Sequence, residues 1–132
     1  MRGLDTNVLV RYLVRDDPHQ ASAVERLVQE ALHDDACLLV NVIVLCETVW
    51  VLEAGYGYSG PVVGDTIEKL LVTRQLEFEA RDDVWRALHR YRERSADLAE
   101  YLIGQRDRSN GCAETLTFNR ALHGDEHFRV LE

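Results

Sequence analysis

Hydrophobic positions along this chain switch repeatedly between short unbroken runs and helical spacing, and each switch marks a change of element. Arg2 to Leu4 form a brief opening strand, after which Val8, Leu9, Tyr12 and Leu13 recur at helical spacing within residues 6–14. Asp17-Pro18 opens a second helix: Asp17 suits a cap, Pro18 suits the first turn, and Ala21, Val24, Leu27, Val28, Ala31 and Leu32 form the apolar stripe. Cys37 to Val40 reads as a buried strand, and Asn41 caps an apolar helix that ends at Gly55-Tyr56-Gly57. Ser59-Gly60-Pro61 starts another helix, running to about Thr73, and Leu76 to Glu79 is a short strand. A fifth helix covers Asp82 to Arg94, and Ser95 caps a sixth that begins at Asp97. Ser109-Asn110-Gly111 is turn chemistry, followed by a strand from Thr115 to Phe118, a short helix, and a last strand from Phe128 to Leu131.

Strands separated by helices imply parallel pairing through right-handed crossovers. The predicted fold class is therefore α/β, a three-layer α/β/α sandwich with a central parallel sheet. At 132 residues, with only two prolines and no repeat or linker, residues 1–132 read as a single domain with one core. In such sheets ligand sites lie beyond the carboxyl ends of the strands. Asp5 falls there, directly after the first strand.

Three acids stand out by their settings: Asp5 in Leu4-Asp5-Thr6-Asn7, Glu47 in Leu45-Cys46-Glu47-Thr48-Val49-Trp50, and Asp97 in Ala96-Asp97-Leu98-Ala99-Glu100. Glu47 is the only charge between Val42 and Leu52, in a helix apolar on nearly every face, which predicts that it is carried into the interior. A carboxylate there needs a proton, a cation or a metal. If Glu47 and Asp97 sit above the same sheet edge as Asp5, three carboxylates converge and repel, a conflict that a divalent ion removes; all-oxygen ligation suits magnesium or manganese better than zinc. Plainer roles stand beside this one. Asp5 can cap the helix that begins at Thr6, Asp97 suits a first helical turn, Glu100 lies three residues on along the same face, and Glu47 can pair with an arginine.

Net charge of −8 opposes nucleic-acid binding through the overall field but not through a local basic surface. All but Lys69 of the fifteen basic residues are arginine, and Arg86, Arg90 and Arg94 recur every fourth residue on the fifth helix. That spacing fits either a phosphate-contacting face or a solvated face moderated by Asp82, Asp83 and Glu93. The five histidines show no ligand spacing and read as surface residues or terminal-turn dipole partners. Cys37, Cys46 and Cys112 lack metal or redox spacing and read as small buried thiols. The longest apolar stretch, 36–52, is broken by Asn41, Glu47 and Thr48, no signal peptide is evident, and a cytosolic protein without a membrane span is expected.

Taken in order, Leu4-Asp5-Thr6-Asn7-Val8-Leu9, Leu45-Cys46-Glu47-Thr48-Val49-Trp50-Val51-Leu52, Ala96-Asp97-Leu98-Ala99-Glu100-Tyr101-Leu102-Ile103 and Thr117-Phe118-Asn119-Arg120 resemble the PIN-domain ribonucleases, and more narrowly the VapC toxins of bacterial VapBC toxin–antitoxin modules. The resemblance covers nearly the whole chain. It implies a magnesium- or manganese-dependent endoribonuclease, inhibited by a small VapB-like antitoxin and assembled as a homodimer. Asp5, Glu47 and Asp97 would be its metal-site acids, Glu100 a further catalytic acid, and Thr6 a site-lining hydroxyl. Asn119 departs from the pattern, standing where the family's Thr-Phe-Asp would place a fourth acid. A catalytically weakened binding protein that keeps the antitoxin surface is therefore the alternative reading, and the apolar excess at Tyr12, Leu13, Val49, Trp50 and Leu52 is its candidate surface. A phosphotransfer domain fits less well, because Asn7 occupies the place of a second aspartate and Lys69 lies on an ordinary amphipathic helix.

Overall fold

The computed structural model describes every residue of the chain except Arg94, so the third arginine of the expected basic face lies outside the described residues. The chain divides into two compact units, Met1–Glu79 and Ala80–Glu132.

In the first unit β1 (Arg2–Gly3), β2 (Leu38–Val40) and β3 (Leu76–Phe78) form a parallel sheet in that order. Between β1 and β2 run α1 (Thr6–Leu13) and α2 (Pro18–His33); between β2 and β3 run α3 (Val42–Trp50) and α4 (Gly60–Leu71). The expected caps are in place: Asp17 accepts from Gln20 N–H at 3.1 Å with Pro18 in the first turn, and Asn41 accepts from Val44 N–H at 2.9 Å. Helix α3 runs into a wider π-helical turn, Val51–Gly55, before Gly57 takes a positive φ that ends it. Leu9, Leu38, Val40, Leu45, Leu52, Val63, Ile67 and Leu71 are buried on the two sides of the sheet and its helices.

Helix α3 departs from expectation. It is not buried all round: Ile43, Glu47 and Trp50, spaced four and three residues apart, lie on one exposed face, Trp50 with 70% of its surface accessible. Val44, Leu45, Thr48 and Val49 are the residues turned inward, so an apolar composition here makes a helix with one buried face and one apolar exposed face.

The second unit holds α5 (Arg81–Glu93), α6 (Leu98–Ser109), β4 (Thr115–Thr117), a 3-10 turn at Arg120–Leu122 and β5 (Phe128–Val130). β4 and β5 pair in parallel, Thr115 opposite Phe128. All strand pairing among the described residues is thus parallel, grouped as three strands in one unit and two in the other. Asp97, not Ser95, is the N-cap residue of α6, because helical backbone begins only at Leu98. Cys112 is exposed rather than buried, lying in the turn after α6, and Cys37 and Cys46 are half-buried. His127 is buried, against the expectation of a surface histidine.

Gly104 on α6 carries the closest packing in the second unit: a Cβ there would lie 2.7 Å from Cε2 and Cζ of Phe128. Gly104→Ala should therefore destabilise the protein by about 2 kcal/mol through overpacking, despite the better helix propensity of alanine. Urea unfolding followed by circular dichroism checks this; unchanged or increased stability would show that the Phe128 ring yields freely.

Candidate functional site

The register of the first sheet places Arg2, Leu38 and Leu76 side by side. Counting three residues on along each parallel strand brings Asp5, Asn41 and Glu79 to the same level, just past the strand ends. Each serves the start of a helix. Asp5 caps α1, its Oδ1 accepting from Thr6 N–H at 2.8 Å. Asn41 caps α3, and Glu79 Oε1 accepts from Val42 N–H at 3.1 Å in the first turn of that helix. Glu79 was not singled out in the sequence, because an acid after a short Leu-Glu-Phe strand looks like ordinary loop polarity. Its only signal there is its position at the carboxyl end of a parallel strand.

Thr6 links two of the expected acids. Its backbone N–H holds Asp5, and its buried side chain donates from Oγ1 to Glu47 Oε1 at 3.1 Å. Asp5 and Glu47 are both exposed, so Glu47 is not the interior carboxylate that its apolar helix suggested; it stands on the outward face of α3 and is oriented by a hydroxyl, not by an arginine. Among the described residues these carboxylates make no other hydrogen bond, which leaves Asp5 Oδ2 and Glu47 Oε2 available.

In the second unit Asp97 is exposed at the start of α6 and Glu100 is half-buried in its first turn. The Asp97 carboxylate makes no capping hydrogen bond, although its carbonyl accepts from Glu100 and Tyr101 N–H at 3.1 and 3.3 Å. A helix start that does not use its own acid as a cap keeps that acid's oxygens open to a ligand. The approach to Asp97 is fixed by Tyr101, whose buried hydroxyl accepts from Ala96 N–H at 3.1 Å. Asn119, after β4, caps the 3-10 turn with Oδ1 accepting from Ala121 N–H at 3.0 Å.

The chemistry of these side chains fits a hard divalent cation: all donors are oxygen, the acids are accessible, and Asp5 and Glu47 are each anchored through one oxygen. Among the described residues no three histidine, cysteine, aspartate or glutamate side chains form a ready-made cage, so the fit rests on donor type and on the pairing through Thr6.

The arginine face divides. Arg86 is exposed, 3.7 Å from Asp83. Arg90 is largely buried, bonded to Asp125 and lying 3.4 Å from Glu126, with its Nε buried and unpaired, so it is held by acids inside the unit and does not stand on a solvated face. Burial alone would raise the Asp125 carboxyl. The hydrogen bonds from Arg90 and from His127 N–H, with the Arg90 charge, outweigh that and hold it below the ordinary carboxylate value. His127 is pushed down, first by burial and then by Arg90 and Arg108, and is neutral at physiological pH.

Comparison with known proteins gives two findings. The PIN-domain family model matches residues 4–109, a span that includes parts of both units and carries the three-layer α/β/α fold class. A VapC ribonuclease of Aquifex aeolicus (strain VF5) is 24% identical over 120 residues, covering 91% of this chain and 88% of that protein.

Arg90→Met leaves the Asp125 carboxylate buried without its cation and should cost about 3 kcal/mol at neutral pH. Because the folded-state pKa of Asp125 lies below its unfolded value of about 3.8, the stabilisation is full above that value and disappears as pH falls through the lower folded value. The gap between wild type and variant should therefore narrow at acid pH, as read by urea unfolding across a pH series. A gap that stays constant down to pH 3 would mean that the pair does not contribute through charge.

Proposed function

The chain belongs to the PIN-domain family, and from that premise we propose that it is a divalent-metal-dependent endoribonuclease, the toxin of a type II toxin–antitoxin pair. The observation that carries this reading is the Asp5–Thr6–Glu47 arrangement at the carboxyl end of β1, which supplies two accessible, oriented carboxylates where an α/β fold places its chemistry. The name of the Aquifex relative, a VapC ribonuclease, supports the choice of RNA as substrate, and a VapB-like antitoxin as partner goes with the toxin reading.

Asp5, Glu47 and Asp97 would hold magnesium or manganese, with Glu100 as a further catalytic acid. An ion held by these acids would supply Lewis acidity toward water and the scissile phosphate. The residues of the chain do the rest. Thr6 holds Asp5 by its N–H and Glu47 by its hydroxyl, so neither carboxylate needs to be reoriented when substrate arrives. Asp97, whose side chain makes no capping bond, and Glu100 would take up a proton in the cleavage step. No serine or cysteine is required as a nucleophile. Single-stranded or looped RNA is the natural substrate, since its phosphates and unstacked bases can reach a site built of short side chains.

A second copy of the chain and the antitoxin are the protein partners of this reading. Apolar surface for them is supplied by exposed Ile43 and Trp50 on α3 and by half-buried Tyr12 and Leu13 on α1. Val49 and Leu52, also expected on that surface, are core residues and do not contribute. Among the described residues no helix is long and apolar enough to cross a membrane.

Asp5→Asn, Glu47→Gln and Asp97→Asn should each lower RNA cleavage at least a hundredfold while leaving the circular dichroism spectrum unchanged; a hundredfold is on the order of the loss expected when one acid–base or ion-positioning group is removed. Cleavage that survives any two of the substitutions would end the proposal.

The weakened-enzyme alternative is favoured by Asn119, whose side-chain oxygen is engaged in a cap. Asn119→Asp caps equally well, so stability should hold, while the added charge should strengthen metal binding and raise cleavage most at low magnesium. Calorimetric metal titration beside RNA cleavage measures both. If neither changes, Asn119 is not part of the metal site.

A further inference from the structure

A cavity of about 520 Å³ opens wholly within the second unit, between the exposed sides of α5 and α6 and the turn leading into β5. Its volume falls in the range of small-molecule sites. Arg108, which lines it, is eleven residues beyond Asp97, or about 16 Å along the rise of α6.

The lining is cationic in a chain whose net charge is −8. Arg108 has no carboxylate partner among the described residues. Arg86 reaches Asp83 only at 3.7 Å, and that buried carboxylate already accepts from Ser109 Oγ at 2.7 Å and from Arg106 at 3.0 Å, so Arg86 keeps donors for a ligand. Glu126, the acid of the lining, is matched by Arg90 at 3.4 Å. Trp85 adds an aromatic face, half-buried and therefore held in place. Deeper in, buried Gln105 and His127 lie 3.4 Å apart, Nε2 to Nδ1, and present a neutral pair that can exchange hydrogen bonds with a heterocycle. Arg90, fixed by Asp125 and Glu126, backs this wall and keeps it rigid.

Unpaired Arg108, the donors that Arg86 keeps beyond its 3.7 Å pair with Asp83, one aromatic face and a neutral hydrogen-bonding pair are the complementary set for a phosphate, a flat base and its polar edge. We propose that this cavity binds one phosphorylated nucleotide, the phosphate held by Arg86 and Arg108 and the base set against Trp85 and read by Gln105 and His127. The nucleotide comes either as a free mononucleotide or as one unit of an RNA strand.

The test uses the full chain with Trp50→Phe, so that Trp85 is the sole indole, in chelator, which makes the outcome independent of the acid site. The probes are 5′-AMP, a short single-stranded RNA and inorganic phosphate. A nucleotide probe should quench Trp85 saturably at least tenfold below the phosphate concentration needed, and Arg108→Gln, an exposed substitution, should weaken it about tenfold, as expected for one charged hydrogen bond. Equal affinity for 5′-AMP and RNA supports a free mononucleotide; RNA binding at least tenfold tighter and weakening with salt supports a strand. No saturable quench with either, phosphate binding as tightly as nucleotide, or Arg108→Gln binding unchanged would each overturn the proposal.

Discussion

Three parallel strands share one register, β2 and β3 ending at the same level and β1 one residue before it, and that constraint shapes the first unit. Asp5, Asn41 and Glu79 occupy the first row beyond the ladder, where the helix starts of α1 and α3 present unpaired N–H groups. Oxygen-bearing side chains are needed there for stability alone, worth about 1 kcal/mol for each cap. The same row collects negative charge at helix N-termini, where it is favoured by the dipole. A site of acids thus grows from the capping requirement: each carboxylate uses one oxygen for the backbone or for Thr6 and keeps the other for solvent or a ligand.

Glu47 extends this logic from α3. The sequence marks it because it is the one charge in an apolar helix, and that mark is sound, but the inference of burial is not. Periodicity cannot separate an apolar face that enters the core from one left for a partner; Ile43 and Trp50 share the outward face with Glu47. The register row was half legible: Asp5 and Asn41 announce helix starts, whereas Glu79 follows a three-residue strand with no pattern of its own. The five strands and six α-helices among the described residues were legible because short β-rich runs alternate with strong amphipathic stripes. Ser95 was taken for a cap because serine is a good one, yet the chain enters helical geometry two residues later than that choice requires.

In the second unit arginine spacing told only part of the environment of these residues. Arg86 and Arg90 do align along α5, but alignment on a helix says nothing about what packs over it. The Asp125–His127 turn folds onto Arg90 and converts it from a surface charge to a structural one. Asp125 and His127, more than thirty residues away in sequence, carry no signal of that contact. His127 is kept neutral by the same burial and by the same arginines, so one network both stiffens the turn and leaves an uncharged hydrogen-bonding edge beside charged neighbours.

Acidic composition and an anionic substrate are reconciled on this basis by position. Carboxylates at the first sheet's carboxyl edge would repel a phosphodiester unless a cation intervenes, so on the proposed function substrate approach would follow metal binding. Arg86 and Arg108 attract phosphate without a metal, because the acids close to them, Asp83 and Glu126, are already matched by Arg106, Ser109 and Arg90. Pairing off the nearest acids, rather than adding basic residues, is what makes a local cationic surface in a chain of net charge −8.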